Sequence, residues 1–283
     1  MQIVSDKQDL RQAVSAWRAT GERVAVVPTM GNLHEGHLSL VRKARENAAR
    51  VVVTVFVNPT QFGPDEDFDV YPRSLDNDTR KLAENRADLL FVPDVATVYP
   101  FGIEQATRVI VPAMTDRLCG ASRPGHFDGV TSVVARLFAL VQPDVAVFGQ
   151  KDFQQQLIIR RMVNDLGLPI DIVVAPVVRE ADGLAMSSRN AYLDNGDRAA
   201  AAAIYQVLTD AAEQLRNGNR DFAAIEAGAA RQLEQSVGSA EYLAIRQADD
   251  LAPARANSRQ VVLLAAALIG NVRLIDNVLV DFT

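Results

Sequence analysis

Cysteine is nearly absent from this chain, with one residue, Cys119, in 283. A lone thiol excludes an intramolecular disulfide and a cysteine-built zinc site, and it suits a reducing compartment. Its plain reading is a small buried apolar side chain. Histidine is almost as scarce: His34, His37 and His126 are all there is. No apolar run is long, and the longest, 261–269, is about half of the ~20 residues that a bilayer span requires. The first six residues, MQIVSD, hold no basic segment leading into an apolar core, so no signal peptide is expected. Positive charge is not in excess either: 29 Lys and Arg stand against 35 Asp and Glu, a net charge of −6. That balance argues against a broad nucleic-acid or anionic-membrane surface, both of which need clustered cations. The expectation is a cytoplasmic protein with neither nucleic acid nor membrane as partner. What is present is ordinary for a globular chain, 48% hydrophobic and 23% charged, and the length allows one large domain or two smaller ones.

Buried runs rich in Val and Ile (24–27, 51–57 and 87–92) alternate with helix-like segments at about 5–19, 35–49 and 74–86. The first of these helices is expected to open on a capping box of Ser5 and Gln8. The pattern resumes with a helix near 129–141, a strand at 145–148, a helix over about 152–166 and a strand at 170–174. Such alternation predicts an α/β domain with a Rossmann-like parallel sheet covered on both faces. Ligands then belong at the carboxyl ends of the strands. Beyond about residue 190 the character changes. Two Ala-rich helical stretches (about 197–217 and 221–236) lead into strand-like runs at 242–246, 260–268 and 272–280, with Gly270-Asn271 as a hairpin signal. The reading is a first domain over 1–184 and a smaller C-terminal α+β domain over 185–283.

Five segments carry polar groups where ligands would bind. PTMGNLHEGHLSL follows the first buried run, at residues 28–40. A strand entering a Gly-bearing turn and a helix start makes an anion site from converging backbone N–H groups and the helix dipole. His34 and His37, three apart, share one side of the first turn. Gly31 and Gly36 have the spacing of a phosphate-binding P-loop, but His37-Leu38 replaces its Lys-Ser/Thr. HEGH also has the wrong spacing for a zinc HExxH, and only His126 remains as a further imidazole. The remaining functional reading is the HxGH signature of nucleotidyl-transferring α/β enzymes, against plain capping and core roles. At 57–64, VNPTQFGP places the amides Asn58 and Gln61 at a strand end, where turn chemistry alone is the rival reading. At 149–156, GQKDFQQQ offers Gly149 for close approach, Lys151 as a point charge and Asp152 as a cap, with one of three glutamines facing the strand ends. At 182–190, DGLAMSSRN is either a mobile loop able to close on a nucleotide or a polar linker. RPGHFDGV, at 123–130, reads as a polar loop before a helix, shaping a site or capping that helix.

Taken in order and spacing, PTMGNLHEGHLSLV, VNPTQF, RPGHFDGV, FGQKDFQQQ and GLAMSSRN resemble the motifs of the pantothenate synthetase (pantoate–β-alanine ligase) family, within the HxGH nucleotidyltransferase superfamily. The resemblance is dense over residues 24–193. It implies an ATP-dependent ligase that joins pantoate to β-alanine through a pantoyl-adenylate, with AMP and pyrophosphate released, Mg2+ accompanying ATP, and a homodimeric assembly. It implies that Met30, Gly31, Asn32, Leu33, His34, Glu35, Gly36 and His37 line the ATP site, with His34 and His37 on the phosphates. Gly149, Gln150, Lys151 and Asp152 are implied at the nucleotide, with Lys151 on the phosphates, and Val178 at the adenine. Met186, Ser187, Ser188 and Arg189 are implied to close over the phosphates, placed like the KMSKS loop of class I tRNA synthetases but without its lysines. Gln61 and Gln155 are implied to hold pantoate, Asn58 to support that pocket and Gln61 to meet β-alanine. No residue is implied as a metal ligand. Asn32 stands where alanine is expected and Phe153 where tyrosine is common. A nucleotidyltransferase that stops at AMP transfer needs a cationic acceptor pocket, whereas Gln61 and Gln155 suit a small hydroxy acid. His37, Lys151 and Ser187-Ser188-Arg189 argue against a non-catalytic nucleotide-binding regulator, and the absence of a basic appendage against a tRNA synthetase fragment.

Overall fold

Polar turns separate the buried runs, and the chain folds accordingly. A computed structural model of the chain describes residues 1–64, 66 and 68–282. In chain order the first elements are β1 (Gln2–Val4), α1 (Lys7–Ala19), β2 (Val24–Thr29), α2 (Glu35–Asn47), β3 (Arg50–Val55), α3 (Leu75–Glu84) and β4 (Leu89–Phe91). They are followed by α4 (Val95–Val98), α5 (Cys119–Ser122), α6 (His126–Val141), β5 (Val145–Gly149), α7 (Phe153–Asp165) and β6 (Asp171–Ala175). The remainder is α8 (Asn195–Arg216), α9 (Phe222–Val237), β7 (Ala240–Gln247), β8 (Gln260–Ile269) and β9 (Val272–Asp281).

The chain forms two units, the first comprising Met1–Gly149 and Ile158–Ala175, the second Gln150–Leu157 and Pro176–Thr283. The first unit holds a six-stranded parallel sheet in the order β1-β4-β3-β2-β5-β6. Val24, Val26 and Val27 of β2 and Val51 to Val53 of β3 are fully buried, as expected of strands covered on both faces. One face of this core is filled by Leu38, Val41 and Ala44 of α2, with Leu82 of α3. Strand order runs outward in one direction from β2 through β3 and in the other through β5, so the switch point lies at the carboxyl ends of β2 and β5.

The second unit contains an antiparallel sheet, β7-β8-β9. The hairpin predicted at Gly270-Asn271 is there: Ile269 pairs with Val272, and Gly270 turns at φ 56°. Helices α8 and α9 bury Ile204, Leu208, Leu215 and Leu233 together with Leu263 and Ala265 of β8. No helix among the described residues is long and apolar enough to cross a membrane.

Two local expectations are corrected, and strand β1 was not expected. The first helix is capped by Asp6, whose carboxylate accepts the N–H groups of Gln8 and Asp9 at 2.8 and 2.9 Å, rather than by a Ser5–Gln8 box. A short acceptor fully ionised at neutral pH wins there over a hydroxyl one residue earlier. Strand β1 has three residues with Ile3 half exposed, too short to show a period in the sequence. Helix α6 starts at His126 rather than near 129, because Gly125 takes φ 79° and lets the helix open immediately after it.

Candidate active site

The loop after β2 is held by helix α3. Gly31 (φ 86°) and Asn32 (φ 50°) both take left-handed backbone, which Gly adopts freely and Asn more readily than most residues. The N–H groups of Asn32 and Leu33 then donate to the two oxygens of Asp78, each at 2.8 Å. Asp78 is fully buried, and Ser74 Oγ adds a third donor at 3.2 Å. The same helix sends Lys81 Nζ to the Leu33 carbonyl. A buried carboxylate with several N–H and O–H donors is a strong clamp. It also changes the sequence expectation of an anion site made from free backbone N–H groups. Those of residues 31–33 go to Thr29 Oγ1 and Asp78, and those of 36–38 go to His34. Leu33 itself is buried in the sheet core.

The two histidines close the start of α2 reciprocally. His34, at the N-cap, accepts the Gly36 N–H on Nδ1 at 3.1 Å, and His37 Nδ1 accepts the His34 N–H at 3.3 Å. The ring centroids are 4.1 Å apart. A ring nitrogen that accepts carries no proton, so each neutral imidazole has its N–H at Nε2. Capping therefore selects the tautomer in which both rings are Nε2 donors at the end of β2. Glu35 is ion-paired with Arg42, about two turns further along α2.

The loop after β3 brings together three residues singled out in the sequence. Asn58, 1% exposed, donates to Gln61 Oε1 at 3.1 Å, and Gln61 Nε2 reaches Met30 Sδ at 3.4 Å. Asn58 Oδ1 accepts from Tyr99 at 2.7 Å, and Asn58 Nδ2 donates to the Gly129 carbonyl at 3.3 Å. Gly129 permits this approach: a Cβ there would lie 2.3 Å from the Thr60 carbonyl oxygen. Burial raises the Tyr99 phenol above its ordinary pKa, so it stays a donor at neutral pH.

Behind Gln61 stands a second layer. His126 Nδ1 contacts the Gln61 carbonyl at 2.8 Å, and its Nε2 lies 3.0 Å from an Arg123 guanidinium nitrogen. Arg123 can only donate, so His126 accepts on Nε2 and donates from Nδ1 to Gln61. Arg123 is paired with Glu66, 2.7 Å on one arm of the fork. Burial by itself would raise the Glu66 carboxyl, but the hydrogen bond and charge of Arg123 bring it below the ordinary glutamate value. This cluster borders a cavity of about 680 Å3, lined among others by Thr60, Gln61, Glu66, Arg123, His126 and Arg136. RPGHFDGV therefore both braces Gln61 and opens a helix. Cys119, by contrast, is buried and in no disulfide.

In the second unit, Gln150–Asp152 form a 3-10 turn carrying half-buried Lys151. Of the three glutamines that follow, Gln154 and Gln156 are buried and Gln155 is partly exposed. Val178 and Met186 meet: the Met186 N–H donates to the Val178 carbonyl at 2.9 Å, and Arg179 bridges to Ala185. Gly183, at φ 91°, makes the reversal between them. Ser187 then caps the 3-10 turn Ser188–Tyr192 by accepting the Arg189 N–H at 3.3 Å. Sequence reasoning missed Asp78, Tyr99, Arg179, Asp276 and Asn277. Asp276 and Asn277 had a visible signal, two adjacent polar residues inside an otherwise apolar strand.

The pantoate-beta-alanine ligase family model matches residues 2–279. The chain belongs to the pantoate–β-alanine ligase family. It is 53% identical over 277 residues to the pantothenate synthetase of Pseudomonas aeruginosa, an alignment covering 98% of each chain. The crystal structure of pantothenate synthetase from Thermus thermophilus superposes with a TM-score of 0.89 at 45% identity, covering 98% of this chain and 99% of that one. The pantoate-β-alanine ligase of Francisella tularensis, complexed with beta-gamma ATP and β-alanine, superposes at 0.80 with 33% identity, over 99% of this chain and 97% of that one. The family expectation drawn from five ordered motifs is thus met, and with it the parallel-sheet domain and the small C-terminal antiparallel sheet. The chain is a carbon–nitrogen ligase of the pantothenate biosynthetic route.

Proposed function

We propose that this ligase works in two half-reactions on one bound adenylate. The pantoate carboxylate attacks the α-phosphorus of ATP, forming the acyl–phosphate bond and expelling pyrophosphate. The β-alanine amine then attacks the acyl carbon, forming the amide and releasing AMP. A free carboxylate is a poor acyl donor, whereas the mixed anhydride carries a good leaving group. Little covalent protein chemistry is required, so positioning and charge stabilisation dominate.

The observation that carries the residue assignment is the reciprocal capping of His34 and His37, which leaves each neutral ring an Nε2–H donor at the end of β2. In this reading both rings donate to the ATP phosphates, and His37 stabilises charge as pyrophosphate departs. Lys151 and Arg189 supply the fixed positive charge, with Ser187 and Ser188 as hydroxyl donors. Gly149 to Asp152 contact the nucleotide, and Val178 with Met186 flank its base. Gln61 and Gln155 take the pantoate hydroxyl and carboxylate groups, Asn58 orients Gln61, and Gln61 also meets β-alanine. No three His, Cys, Asp or Glu among the described residues are grouped to hold a metal. Mg2+ is assigned to the ATP phosphates, as the family resemblance implies. We place the enzyme in the cytoplasm as a homodimer, as the family resemblance implies; exposed Phe101 and Ile110 on the first unit offer apolar surface for it.

The test is pyrophosphate–ATP exchange with and without pantoate, followed by AMP release on addition of β-alanine. Exchange that requires pantoate, and AMP release that requires β-alanine, support the two half-reactions. Exchange without pantoate overturns the sequence of steps.

A further inference from the structure

Strand β9 carries two consecutive buried polar residues, Asp276 (4% exposed) and Asn277 (1%), in a strand otherwise built largely of Val, Leu and Ile. Burying polar groups costs stability unless every group is partnered, and apolar residues of similar size would be at least as stabilising. Both are partnered, and their partners lie in the two segments assigned above to the nucleotide. The Asn277 amide donates to the carbonyls of Gln150 and Lys151, each at 2.9 Å, and its Oδ1 accepts from Gln150 Nε2 at 3.2 Å. Asn277 thus spends its side-chain capacity on a three-residue turn far away in sequence. Asp276 takes the Arg179 guanidinium in a fork at 2.6 and 3.0 Å and accepts the Asn277 N–H at 2.7 Å. Arg179 also donates to the Gly183 carbonyl at 3.0 Å and stacks 3.6 Å over the Tyr205 ring. One dipeptide therefore grips both the Lys151 turn and the root of the 186–189 segment. Burial raises the Asp276 carboxyl from its ordinary value, while Arg179 and, more weakly, the Lys151 charge oppose the rise. Lys151 is accordingly within electrostatic reach of the same strand.

We infer that Asn277 is a positioning residue for the adenylation half-reaction: its amide fixes the backbone of the Gln150–Asp152 turn and so presents Lys151 to the ATP phosphates. This rests on the assignment of Lys151 given above. A donor that must point at two carbonyl oxygens cannot be replaced by a carboxylate, which would repel both. Displacement of a charge-stabilising group by about 1 Å commonly costs on the order of a hundredfold in rate.

The experiment compares Asn277→Ala, Asn277→Ser, Asn277→Asp, Lys151→Met and the Asn277→Ala/Lys151→Met double variant. Two rates are read, pantoate-dependent pyrophosphate exchange and AMP release from pantoyl-adenylate supplied preformed with β-alanine; thermal melting is recorded alongside. The expected result is a loss of roughly 10- to 100-fold in exchange for Asn277→Ala, with aminolysis of the preformed adenylate within about twofold. Asn277→Asp loses at least as much. Asn277→Ser, which keeps one donor, recovers part, and it carries the test if the Ala variant fails to fold. The double variant loses no more than Lys151→Met alone. Wild-type exchange in a folded Asn277 variant, equal loss in both half-reactions, or additive losses in the double variant would each overturn the inference. If Lys151→Met itself exchanges normally, the Lys151 assignment falls and this inference with it. An impaired Lys151→Met beside a normal Asn277→Ala removes only the positioning role.

Discussion

At the residue scale, the roles of the two histidines follow from which nitrogen accepts. Because Nδ1 of each ring is engaged by a backbone N–H, Nε2 is the one donor a neutral ring offers. His37→Ala is expected to lower pyrophosphate exchange by about two to three orders of magnitude, the usual loss for one charge-stabilising donor. It also removes half of the α2 cap, worth about 1 kcal/mol. A melting curve taken with the kinetics separates the two effects, and near-normal turnover in a folded variant would remove His37 from the mechanism. Gln155 is the one of three consecutive glutamines that is not buried, as expected when successive helical positions point about 100° apart. Gln155→Ala is expected to raise the KM for pantoate severalfold while leaving the KM for ATP within about twofold. A rise of that size corresponds to about 1 kcal/mol for a lost hydrogen bond. Steady-state titration of each substrate decides it, and equal damage to both constants would indicate a folding defect instead.

At the scale of elements, α3 matters more to the site than its sequence suggests. The sequence reads it as one more amphipathic helix beside the sheet, yet its Asp78 holds the left-handed turn at Gly31-Asn32 and its Lys81 holds the next carbonyl. Asp78→Asn keeps the size but leaves one acceptor oxygen for two N–H donors. The loss of a charge-assisted hydrogen bond in a buried place is expected to cost about 1.5–3 kcal/mol. The melting temperature should fall, and the KM for ATP should rise because the loop bearing His34 and His37 loosens. An unchanged KM for ATP in a destabilised variant would confine Asp78 to folding. Sequence periodicity could not reveal this clamp, since an Asp inside a polar helix face looks like a solvated charge until its partners, over forty residues earlier, are known.

At the scale of the whole molecule, stability against acid depends on groups such as Glu66. Burial pushes its carboxyl up, but Arg123 outweighs burial and holds it below the ordinary glutamate value of about 4.3 in the folded state. A depressed folded pKa contributes stability that is fully present above the unfolded value and is lost as pH falls through the folded one. Glu66→Gln is therefore expected to lower the melting temperature at pH 7 and to matter progressively less as the pH falls below the ordinary glutamate value and through the folded one. The gap between the two melting curves should close across the carboxylate range, and a constant gap over that range would rule the ion pair out as the source. The Gln61 loop leans on the same Arg123–His126 pair, so the loss should be accompanied by weaker pantoate binding.

The sequence by itself determined the class of fold, the family and the reaction. Alternating Val-rich runs and amphipathic helices are local patterns, and five motifs in fixed order are read without knowing any distance. The polar HxGH turn, the Asn58–Gln61 loop and the Gly270-Asn271 hairpin were legible for the same reason, because each is built from neighbours in the chain. Only the tertiary structure decided which nitrogen of each histidine is a donor, that the amides of Asn32 and Leu33 go to Asp78, and that His126 and Arg123 brace Gln61 from behind. The pairing of Asn277 with the Lys151 turn, across 126 residues, is a further case. Buried hydrogen bonds join donors and acceptors that the fold brings within about 3 Å, and nothing in the local pattern of either segment names the other.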